Sequence, residues 1–414
     1  MPCLGSTRLV FDLLEVSPSL RRPLSSLRSL SFFFPSSMPP RCTFSTMEHS
    51  PNDLFDYTSG RWIINDALRQ ERRLIFNVDG LRRLAAQSVN RSPDDIVDLA
   101  KLAEGGFNRT FLISMRGDFQ MVARIPYPAT VPKYYAVASE VATMALLCSS
   151  GLPIPKVYGY SPAPDNAAET EYIFMEFVRG TKLSEVWLDL GDREIMSVLR
   201  QLAQLESKMM SISFPAGGSL YYAQDLEKVA GGPGIPLEDE RFRVGPDVRL
   251  PLWYGRRSQL DVDRGPYERA ETALVRAAHK ELAYLKQFGQ PLLPFQRVRR
   301  EGYRYQEQSS SEHIENLNRY LLIASSVVPR DPALSHFSIR HPDLQQNNIV
   351  VSRSPNSDWQ VISLFDWQHA SILPPFLLAG IPERLAAASS TTASDPWEGE
   401  TLALKVALIE ATEN

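Results

Sequence analysis

The sequence predicts an α+β protein with two lobes of unequal type and a cleft between them. Short segments of alternating apolar residues dominate residues 96–177, and segments with apolar residues at helical spacing begin at residue 193. Two short strand-like segments return at 348–364. Because a β-rich part and a helical part must each bury an apolar face, we expect separate packed layers with a ligand groove between them.

Length and composition are those of a globular chain. The 414 residues are 43% hydrophobic and 22% charged, which excludes wholesale disorder and a collagen-like chain. With 44 basic and 48 acidic residues there is no overall positive charge, so no nucleic-acid partner is expected. Cys3, Cys42 and Cys148 are too scattered for a disulfide framework or a paired-cysteine zinc site. No apolar run is long enough to predict a transmembrane segment.

Residues 1–47 have the composition of a disordered mitochondrial targeting leader. No acidic residue lies between Val16 and Met47, and that stretch is rich in serine and arginine, which is typical of a transit peptide. Two earlier acidic residues and six prolines oppose a targeting helix. The alternatives are an unstructured leader, or translated upstream sequence with the true start at Met38 or Met47. A start at Met47 would give a cytoplasmic protein.

The folded region is predicted to begin near Asn52. An N-terminal extension, residues 48–90, ends in a short helix over Asp79–Asn90 that Asp79 can cap. Glycine-containing turns at 104–106 and 116–118 then join three strands into antiparallel hairpins. The predicted strands are Ile96–Ala103, Arg109–Met115 and Phe119–Ile125.

Helices dominate the rest of the chain, with a few short strands. Residues 211–263 are rich in glycine and proline and lack periodicity, so we expect them to be irregular. The predicted helices are Lys133–Cys148, Arg193–Met210, Tyr267–Phe288 and Glu312–Val327. The predicted strands are Lys156–Tyr160, Tyr172–Phe177, Asn348–Ser352 and Trp359–Leu364.

The motif that carries chemistry lies late in the chain. His341, Asp343 and Asn348 precede one apolar strand, and Asp366 ends the next. This order is the catalytic and metal-binding pattern of phosphoryl transfer in kinase folds. One carboxylate, Asp343, would orient a hydroxyl and accept its proton, whereas the Asn348 amide and the Asp366 carboxylate would hold Mg²⁺. His341 would brace the loop. Taken alone, the same residues also suit two capped turns in a polar loop.

Further motifs, in matching order, resemble the aminoglycoside phosphotransferase-like branch of the protein-kinase-like fold. More narrowly, the chain resembles the fungal group named for altered inheritance of mitochondria. The resemblance covers residues 52–385 and implies a bilobal fold with a small β-rich N-lobe and a larger, mostly helical C-lobe. The matching segments are Leu54–Trp62, Glu104–Thr110, Val122–Pro126, Met175–Val178, Gly217–Tyr221, Asp263–Pro266 and Asp366–Gln368.

The resemblance also implies a nucleotide site for ATP. Arg124 stands where kinases carry a strand lysine and stays charged, and Glu140 stands where they carry its ion-pair glutamate. Taken alone, a glycine pair suits any hairpin turn, and these two charged residues suit an exposed surface. The nucleotide-binding candidates are Gly105, Gly106 and Asn108 in the phosphate-covering hairpin, Val122, Arg124, Glu140, and the hinge residues Met175, Glu176 and Phe177.

The implied domain boundaries divide the chain after the hinge. The kinase-like N-lobe and hinge would span 91–178, and the C-lobe 179–385, with an insert at 211–265. Two departures concern this lobe: Gln345-Gln346-Asn347 in the catalytic loop, and an atypical tail at 386–414 that predicts a shortened C-lobe.

The implied function is that of an ATP-dependent mitochondrial phosphotransferase that acts on a small-molecule hydroxyl and uses Mg²⁺. The acceptor and the oligomeric state are left open. The alternative is a catalytically weak or inactive kinase-like mitochondrial protein with a structural or binding role, which the short C-terminus favours. A protein kinase is a poorer match, because no Ala-Pro-Glu motif follows Asp366. His336 and His369 lack metal-site spacing.

Overall fold

The computed structural model describes residues 51–380, apart from 60, 61, 230, 231, 295, 296 and 356. The predicted leader at 1–47 and the predicted tail at 386–414 lie outside the described residues.

A five-stranded antiparallel sheet forms the N-terminal lobe, in the order β1-β2-β3-β5-β4. Its strands are β1 Ile96–Glu104, β2 Asn108–Met115, β3 Phe119–Pro126, β4 Val157–Ser161 and β5 Tyr172–Glu176. Each predicted strand end lies within one residue of the observed end. The hairpin between β1 and β2 closes with Glu104 opposite Arg109, and the hairpin between β2 and β3 runs without a register shift.

Strand β3 separates two cores. Met121, Ala123 and Ile125 pack into the cluster beneath the N-terminal extension. Val122 faces the other way, into the main core shared with the helical lobe. Arg124 lies on the same face of the strand as Val122, because side chains alternate along a strand. The predicted alternation along this strand is therefore observed.

The N-terminal extension consists of three short helices, α1 Pro51–Phe55, α2 Asp66–Gln70 and α3 Val78–Ser88. The prediction that Asp79 caps α3 is wrong. Asn77 is the cap, and its Oδ1 accepts a hydrogen bond from the Gly80 amide at 2.8 Å. Asp79 lies inside the first turn, where an acidic side chain is favourable to the helix dipole but cannot act as the cap.

Helix α4, Tyr135–Ser149, crosses from β3 to β4, and most of its residues are buried. It begins two residues later than predicted because Tyr134 has φ of 63°, which is incompatible with a right-handed helix. Gly151, with φ of 74°, follows its end as predicted. Beyond the sheet come β6 Thr181–Lys182, α5 Leu183–Val186 and α6 Asp192–Met210.

The stretch predicted to be irregular, 211–263, instead contains a small antiparallel sheet. Its elements are β7 Ser219–Tyr222, α7 Ala223–Leu226, β8 Ile235–Pro236 and β9 Phe242–Gly245, and its strand order is β7-β9-β8. These strands have two to four residues, so none is long enough to give a periodic signal. Gly218, at φ of 141°, turns the chain into β7.

The remaining elements complete a mostly helical C-terminal lobe. Its helices are α8 Ala270–Phe288, α9 Arg297–Gly302, α10 Ser310–Ile323, α11 Pro332–Ser335 and α12 Pro375–Leu378. Its late strands are β10 Ser338–Ile339, β11 Ile349–Ser352, β12 Gln360–Leu364 and β13 Ile372–Leu373. Short 3₁₀ turns lie at Pro93–Asp95, Trp187–Asp189, Leu250–Leu252, Gly255–Gln259, Ala324–Val327 and Gln346–Asn348. Helix α8 starts three residues later than predicted, and no described helix is both long and apolar enough to cross a membrane.

The motif residues lie in the segments that connect two antiparallel pairs of late strands. Strand β11 pairs with β12 and also with β6, next to the hinge, and β10 pairs with β13. The prediction that the strand begins at Asn348 is wrong by one residue, because Asn348 belongs to the turn before β11. The β10–β11 loop therefore carries Asp343 and Asn348, and the segment between β12 and β13 carries Asp366.

Candidate catalytic and nucleotide site

The loop between β10 and β11 is fixed by His341, which is almost fully buried. Its Nε2 lies 3.1 Å from the Phe365 carbonyl, and its Nδ1 accepts a hydrogen bond from the Asp343 amide at 3.1 Å. These two partners require the proton on Nε2. The imidazole also packs edge-on against Trp367, with ring centroids 4.4 Å apart.

Burial lowers the pKa of His341 to about 4. The imidazole is therefore neutral at physiological pH, so it can hold the loop by hydrogen bonds without carrying a charge. This geometry agrees with a bracing role and not with a proton-accepting one.

Asp343 is exposed at the mouth of the same loop. Its Oδ2 accepts a hydrogen bond from Gln345 Nε2 at 2.5 Å and lies 3.4 Å from Asn348 Nδ2. Asn348 is buried, and its Nδ2 also donates to the Asp343 carbonyl at 2.9 Å. The amide nitrogen of Asn348 is thus committed to Asp343, which leaves its oxygen as the atom suited to a metal ion.

The predicted pair of Arg124 and Glu140 forms between β3 and α4. Arg124 Nη1 bonds Glu140 Oε1; the Glu140 side chain is almost fully buried and that of Arg124 is largely buried. A second contact was not predicted: Arg124 Nη2 bonds Asp366 Oδ1 at 2.5 Å. One guanidinium therefore joins the sheet, helix α4 and the segment that follows β12.

Asp366 is the metal-ligand candidate in this group. Burial by itself would raise the pKa of its carboxyl, but the adjacent Arg124 guanidinium outweighs burial and lowers it. The carboxylate is therefore ionised at neutral pH. Its backbone adopts φ of 70°, a left-handed conformation that turns the chain sharply after β12.

The tip of the β1–β2 hairpin lies against the turn that begins at Asp366. The side-chain amides of Asn108 and Gln368 are 2.6 Å apart. Asn108 Nδ2 donates to Gln368 Oε1, and that oxygen also lies 3.2 Å from Arg124 Nη2. Phe107 packs edge-on against His369, with centroids 5.3 Å apart. The hairpin thus covers the group formed by Arg124 and Asp366.

The glycine pair lies at the turn of this hairpin. The Gly105 amide donates to the Asn108 carbonyl at 2.9 Å, which closes the turn. The Gly106 carbonyl accepts from Arg72 Nε at 3.3 Å. The Phe107 carbonyl accepts from the Tyr127 amide at 2.9 Å. The tip is consequently held through its backbone carbonyls, by the Arg72 side chain at Gly106 and by the Tyr127 amide at Phe107.

The predicted hinge divides into buried and exposed parts. Val122 and Met175 face each other across β3 and β5 and are both buried in the main core. Glu176 directs its carboxylate to the Lys156 amide at 3.1 Å, so that side chain belongs to the β4 edge. Phe177 follows the last residue of β5, outside the strand ladder.

The two groups of candidate residues are joined through the backbone of Phe365. Its amide donates to the Asn348 carbonyl at 3.1 Å, and its carbonyl faces His341. The structure therefore brings His341, Asp343 and Asn348 next to the Asp366 turn. The Glu176 side chain lies apart from this group, at the edge formed by β4.

The donor set fits Mg²⁺ only with help from a substrate. Among the described residues, no group of three His, Cys, Asp or Glu side chains is arranged to hold a metal ion. Asn348 and Asp366 supply two oxygen ligands, and Mg²⁺ commonly takes one or two protein ligands together with phosphate oxygens and water. The residues present therefore fit a metal that arrives with a nucleotide.

Two site residues were missed from the sequence. Gln345 donates to the Asp343 carboxylate, and Gln368 lies 3.2 Å from Arg124 through its Oε1. Each lies two residues after a candidate acid, and that proximity in sequence was the available signal. His369 bonds the Val248 carbonyl at 2.9 Å through Nδ1, which ties the turn to the 211–265 insert.

Known proteins resemble this chain at several levels. A subtelomeric hrmA-associated cluster protein of Aspergillus fumigatus is 35% identical over 321 residues, covering 69% of this chain and 60% of the relative. Altered inheritance of mitochondria protein 9, mitochondrial, from Clavispora lusitaniae is 24% identical over 399 residues, covering 82% and 64%. The chain thus spans less than two thirds of the length of these relatives.

Among solved structures, the streptomycin–ATP ternary complex of APH(2")-IIa aligns with 14% identity and a TM-score of 0.42, covering 80% of this chain and 82% of that one. Residues 98–244 match the phosphotransferase enzyme family, APH. This match confirms the family resemblance, and the structure confirms the predicted α+β class with a β-rich N-terminal lobe and a mostly helical C-terminal lobe. Residues 98–244 are therefore similar to the phosphotransferase enzyme family, and the relatives of the chain include proteins named altered inheritance of mitochondria protein 9.

Proposed function

We propose that the chain is an ATP-dependent phosphotransferase that transfers the γ-phosphoryl group to a hydroxyl of a small molecule. The observation that carries this proposal is the meeting of Arg124, Glu140 and Asp366 directly beside the loop of Asp343 and Asn348. Phosphoryl transfer requires positioning and charge neutralisation more than covalent chemistry, and this group of residues supplies both.

The nucleotide would bind beneath the β1–β2 hairpin. Arg124, held by Glu140, provides the positive charge for the phosphates, and the backbone of Gly105 and Gly106 lies over them with Asn108 at the side. Val122 and Met175 supply the apolar wall for adenine. The backbone after β5, from Glu176 to Phe177, supplies its hydrogen-bonding groups.

Asn348 and Asp366 would hold Mg²⁺ on the phosphates. The bound ion would neutralise phosphate charge and fix the phosphate geometry. Because Arg124 occupies Asp366 Oδ1, the carboxylate would use its second oxygen, or Arg124 would turn from Asp366 to the phosphates. Either change keeps Arg124 paired with the buried Glu140.

Asp343 would act as the base. Its exposed carboxylate orients the acceptor hydroxyl and takes its proton as the phosphoryl group is transferred. Gln345 and Asn348 donate to that carboxylate and hold it in one orientation. His341 positions the loop by accepting a hydrogen bond from the Asp343 amide.

The direct test is ATP turnover by the purified chain across a panel of small hydroxyl compounds, alongside Mg·ATP binding measured by thermal shift. We expect wild type to bind Mg·ATP and Asp366→Ala to lose that binding. Glu315→Ala is a matched control, because it removes an exposed acid that pairs with Arg319 on the surface of α10. A folded wild type that shows no shift at millimolar nucleotide would contradict the proposal.

The Arg124–Asp366 contact favours a second candidate function. In that arrangement a cation already neutralises the metal-ligand carboxylate. The second candidate is therefore a kinase-like protein that is catalytically weak or inactive and has a structural or binding role. Binding of ATP without turnover of any acceptor, unchanged in Asp343→Asn, would select this candidate over the enzyme.

A mitochondrial location is part of the proposal. It is supported by the acid-free composition of residues 16–47 and by the relatives named as mitochondrial proteins. Fusing residues 1–47 to a fluorescent reporter tests it. We expect mitochondrial fluorescence, whereas a diffuse cytosolic signal would favour Met47 as the start.

A further inference from the structure

The N-terminal signature segment, Leu54–Ser59, contacts the base of the phosphate-covering hairpin. Glu104 is the last residue of β1, and its side chain is fully buried. Its Oε2 accepts hydrogen bonds from the Thr58 amide at 2.9 Å, the Ser59 amide at 2.5 Å and Ser59 Oγ at 2.8 Å. One carboxylate oxygen thus binds three donors from a segment some 45 residues earlier in the chain.

The opposite strand of the hairpin is tied to the same segment. Arg109 faces Glu104 across the ladder, and its Nε pairs with Glu104 Oε1 at 3.2 Å. Its Nη1 donates to the carbonyls of Leu54 and Phe55, both at 2.9 Å. Lys101 adds contacts from β1 to the Asp56 carbonyl at 3.0 Å and to Thr58 Oγ1 at 2.8 Å. Both strands of the hairpin are therefore anchored to one short segment.

The extension also reaches the tip. Arg72 donates through Nε to the Gly106 carbonyl at 3.3 Å, and its guanidinium lies over the rings of Trp62 and Tyr127. Glycines at a hairpin turn have no side chains with which to fix their own position. Besides the Gly105–Asn108 hydrogen bond within the turn, the position of Gly106 is consequently set by Arg72, which lies outside the hairpin.

We propose that Glu104 is a positioning residue that couples the Leu54–Ser59 segment to the Gly105–Gly106 turn. Through this coupling, the extension sets where the hairpin lies over the nucleotide phosphates. This consequence rests on the proposed function. The coupling itself does not depend on any ligand. Its effect on the reaction would be on nucleotide affinity, because Glu104 does not touch the Asp343 loop in the described residues.

Ser59 offers the mildest way to test this coupling. Ser59→Ala removes one hydrogen bond to a carboxylate but keeps the backbone donors, whereas Ser59→Thr keeps the hydroxyl. Glu104→Gln is the stronger variant, because an NH₂ group would then face donors on every side. The matched control is Arg73→Met, which removes an exposed ion pair with Asp56 in the same segment without contacting the hairpin.

Hydrogen exchange of the unliganded full chain is the first readout. We expect Ser59→Ala to speed exchange of the 104–110 amides about tenfold, the effect of losing one hydrogen bond to a charged group, with other peptides unchanged. Ser59→Thr and Arg73→Met should exchange like wild type. Unchanged hairpin exchange in Ser59→Ala, or equal acceleration throughout the lobe, would overturn the coupling. These variants keep the test decisive even where Glu104→Gln does not fold.

Nucleotide affinity is the second readout. We expect Ser59→Ala to raise the KM for ATP severalfold at nearly constant kcat, with recovery in Ser59→Thr. Hairpin exchange that changes as expected in a protein that binds no ATP would support the coupling and refute the proposed function. Wild-type turnover with a KM for ATP unchanged in both Ser59→Ala and Glu104→Gln would refute the positioning role while leaving the proposed function intact.

Discussion

The two halves of the candidate site are constructed differently. The nucleotide half places buried, paired charges on regular elements, with Arg124 on β3 and Glu140 on α4. The catalytic half is a loop in which neutral His341 and two side-chain amides surround an exposed carboxylate, Asp343. The first half holds charge in the core, and the second exposes the Asp343 carboxylate to solvent.

This contrast predicts where function and stability separate. Breaking a buried ion pair leaves an uncompensated charge, so changes in the nucleotide half should affect folding and binding together. An exposed carboxylate held by amides can be neutralised with little structural cost, so changes in the catalytic half should affect rate alone. The predictions below test this separation.

The largest expected effect is that of Asp343→Asn on the rate. Loss of the base should lower kcat by about 10²–10⁴-fold, while ATP affinity changes little because Arg124, Asn348 and Asp366 remain. Steady-state kinetics and thermal shift with Mg·ATP measure the two quantities. The exposed Asp358→Asn serves as the control. A loss of nucleotide affinity as severe as that in Asp366→Ala would show that the roles are wrongly assigned.

Arg124→Met tests the other half. It would leave Glu140 buried without its partner, so we expect the free energy of unfolding to fall by about 3–5 kcal/mol and Mg·ATP binding to be lost. Arg124→Lys keeps the charge and should retain part of both. Urea denaturation measures the first effect, with Arg319→Met as an exposed-pair control. Undiminished stability in Arg124→Met would contradict the contrast between the halves.

Lowering the pH should reveal how much neutral His341 contributes to the stability of the protein. His341 has a folded pKa of about 4, below its usual 6.5, so the unfolded chain binds its proton more readily. Its share of stability is therefore intact above pH 6.5 and is lost progressively as the pH falls towards 4. The expected loss is about 3 kcal/mol at the acid end.

Denaturation midpoints of wild type and His341→Gln across that pH range measure this contribution. The glutamine amide can still donate to the Phe365 carbonyl but does not titrate, so its stability should fall less steeply with acid. Parallel curves for the two proteins would show that His341 does not titrate between its folded and unfolded states as proposed.

The sequence predicted those parts of the molecule that depend on local patterns. Strand β3 alternates over enough residues to reveal its two faces, and the spacing from Asp343 to Asp366 identified the catalytic and metal candidates. The resemblance to phosphotransferases placed Arg124 opposite Glu140, and the ion pair is present. The domain boundaries assigned from the sequence remain proposals.

Features that depend on distant contacts were not predictable in this way. The strands around 219–245 are too short to show a period, and they are stabilised by burial against the rest of the lobe. Nothing in the residues around Glu104 indicates that its donors lie at Thr58 and Ser59. The Arg124–Asp366 contact likewise joins residues whose proximity follows from the assembled fold.

The smallest expected effect concerns Gln345, which the sequence had marked only as a departure from the family. Its Nε2 donates to Asp343 Oδ2 at 2.5 Å, and Asn348 shares that oxygen at 3.4 Å. Removing this amide donor leaves the base in place but less restrained. Gln345→Ala should therefore lower kcat by about tenfold, as expected for one hydrogen bond to a charged group, with KM for ATP unchanged.

Gln345→Glu gives the sharper comparison, because it keeps the side-chain length but sets a second carboxylate against Asp343. The repulsion should raise the pKa of the base and move the acid limb of the kcat profile to higher pH, which Gln345→Ala should not do. Measuring kcat from pH 5 to 9 for both variants separates the effect of a less restrained Asp343 from the effect of a second negative charge beside it. If both profiles coincide with that of wild type, Gln345 does not act on the base.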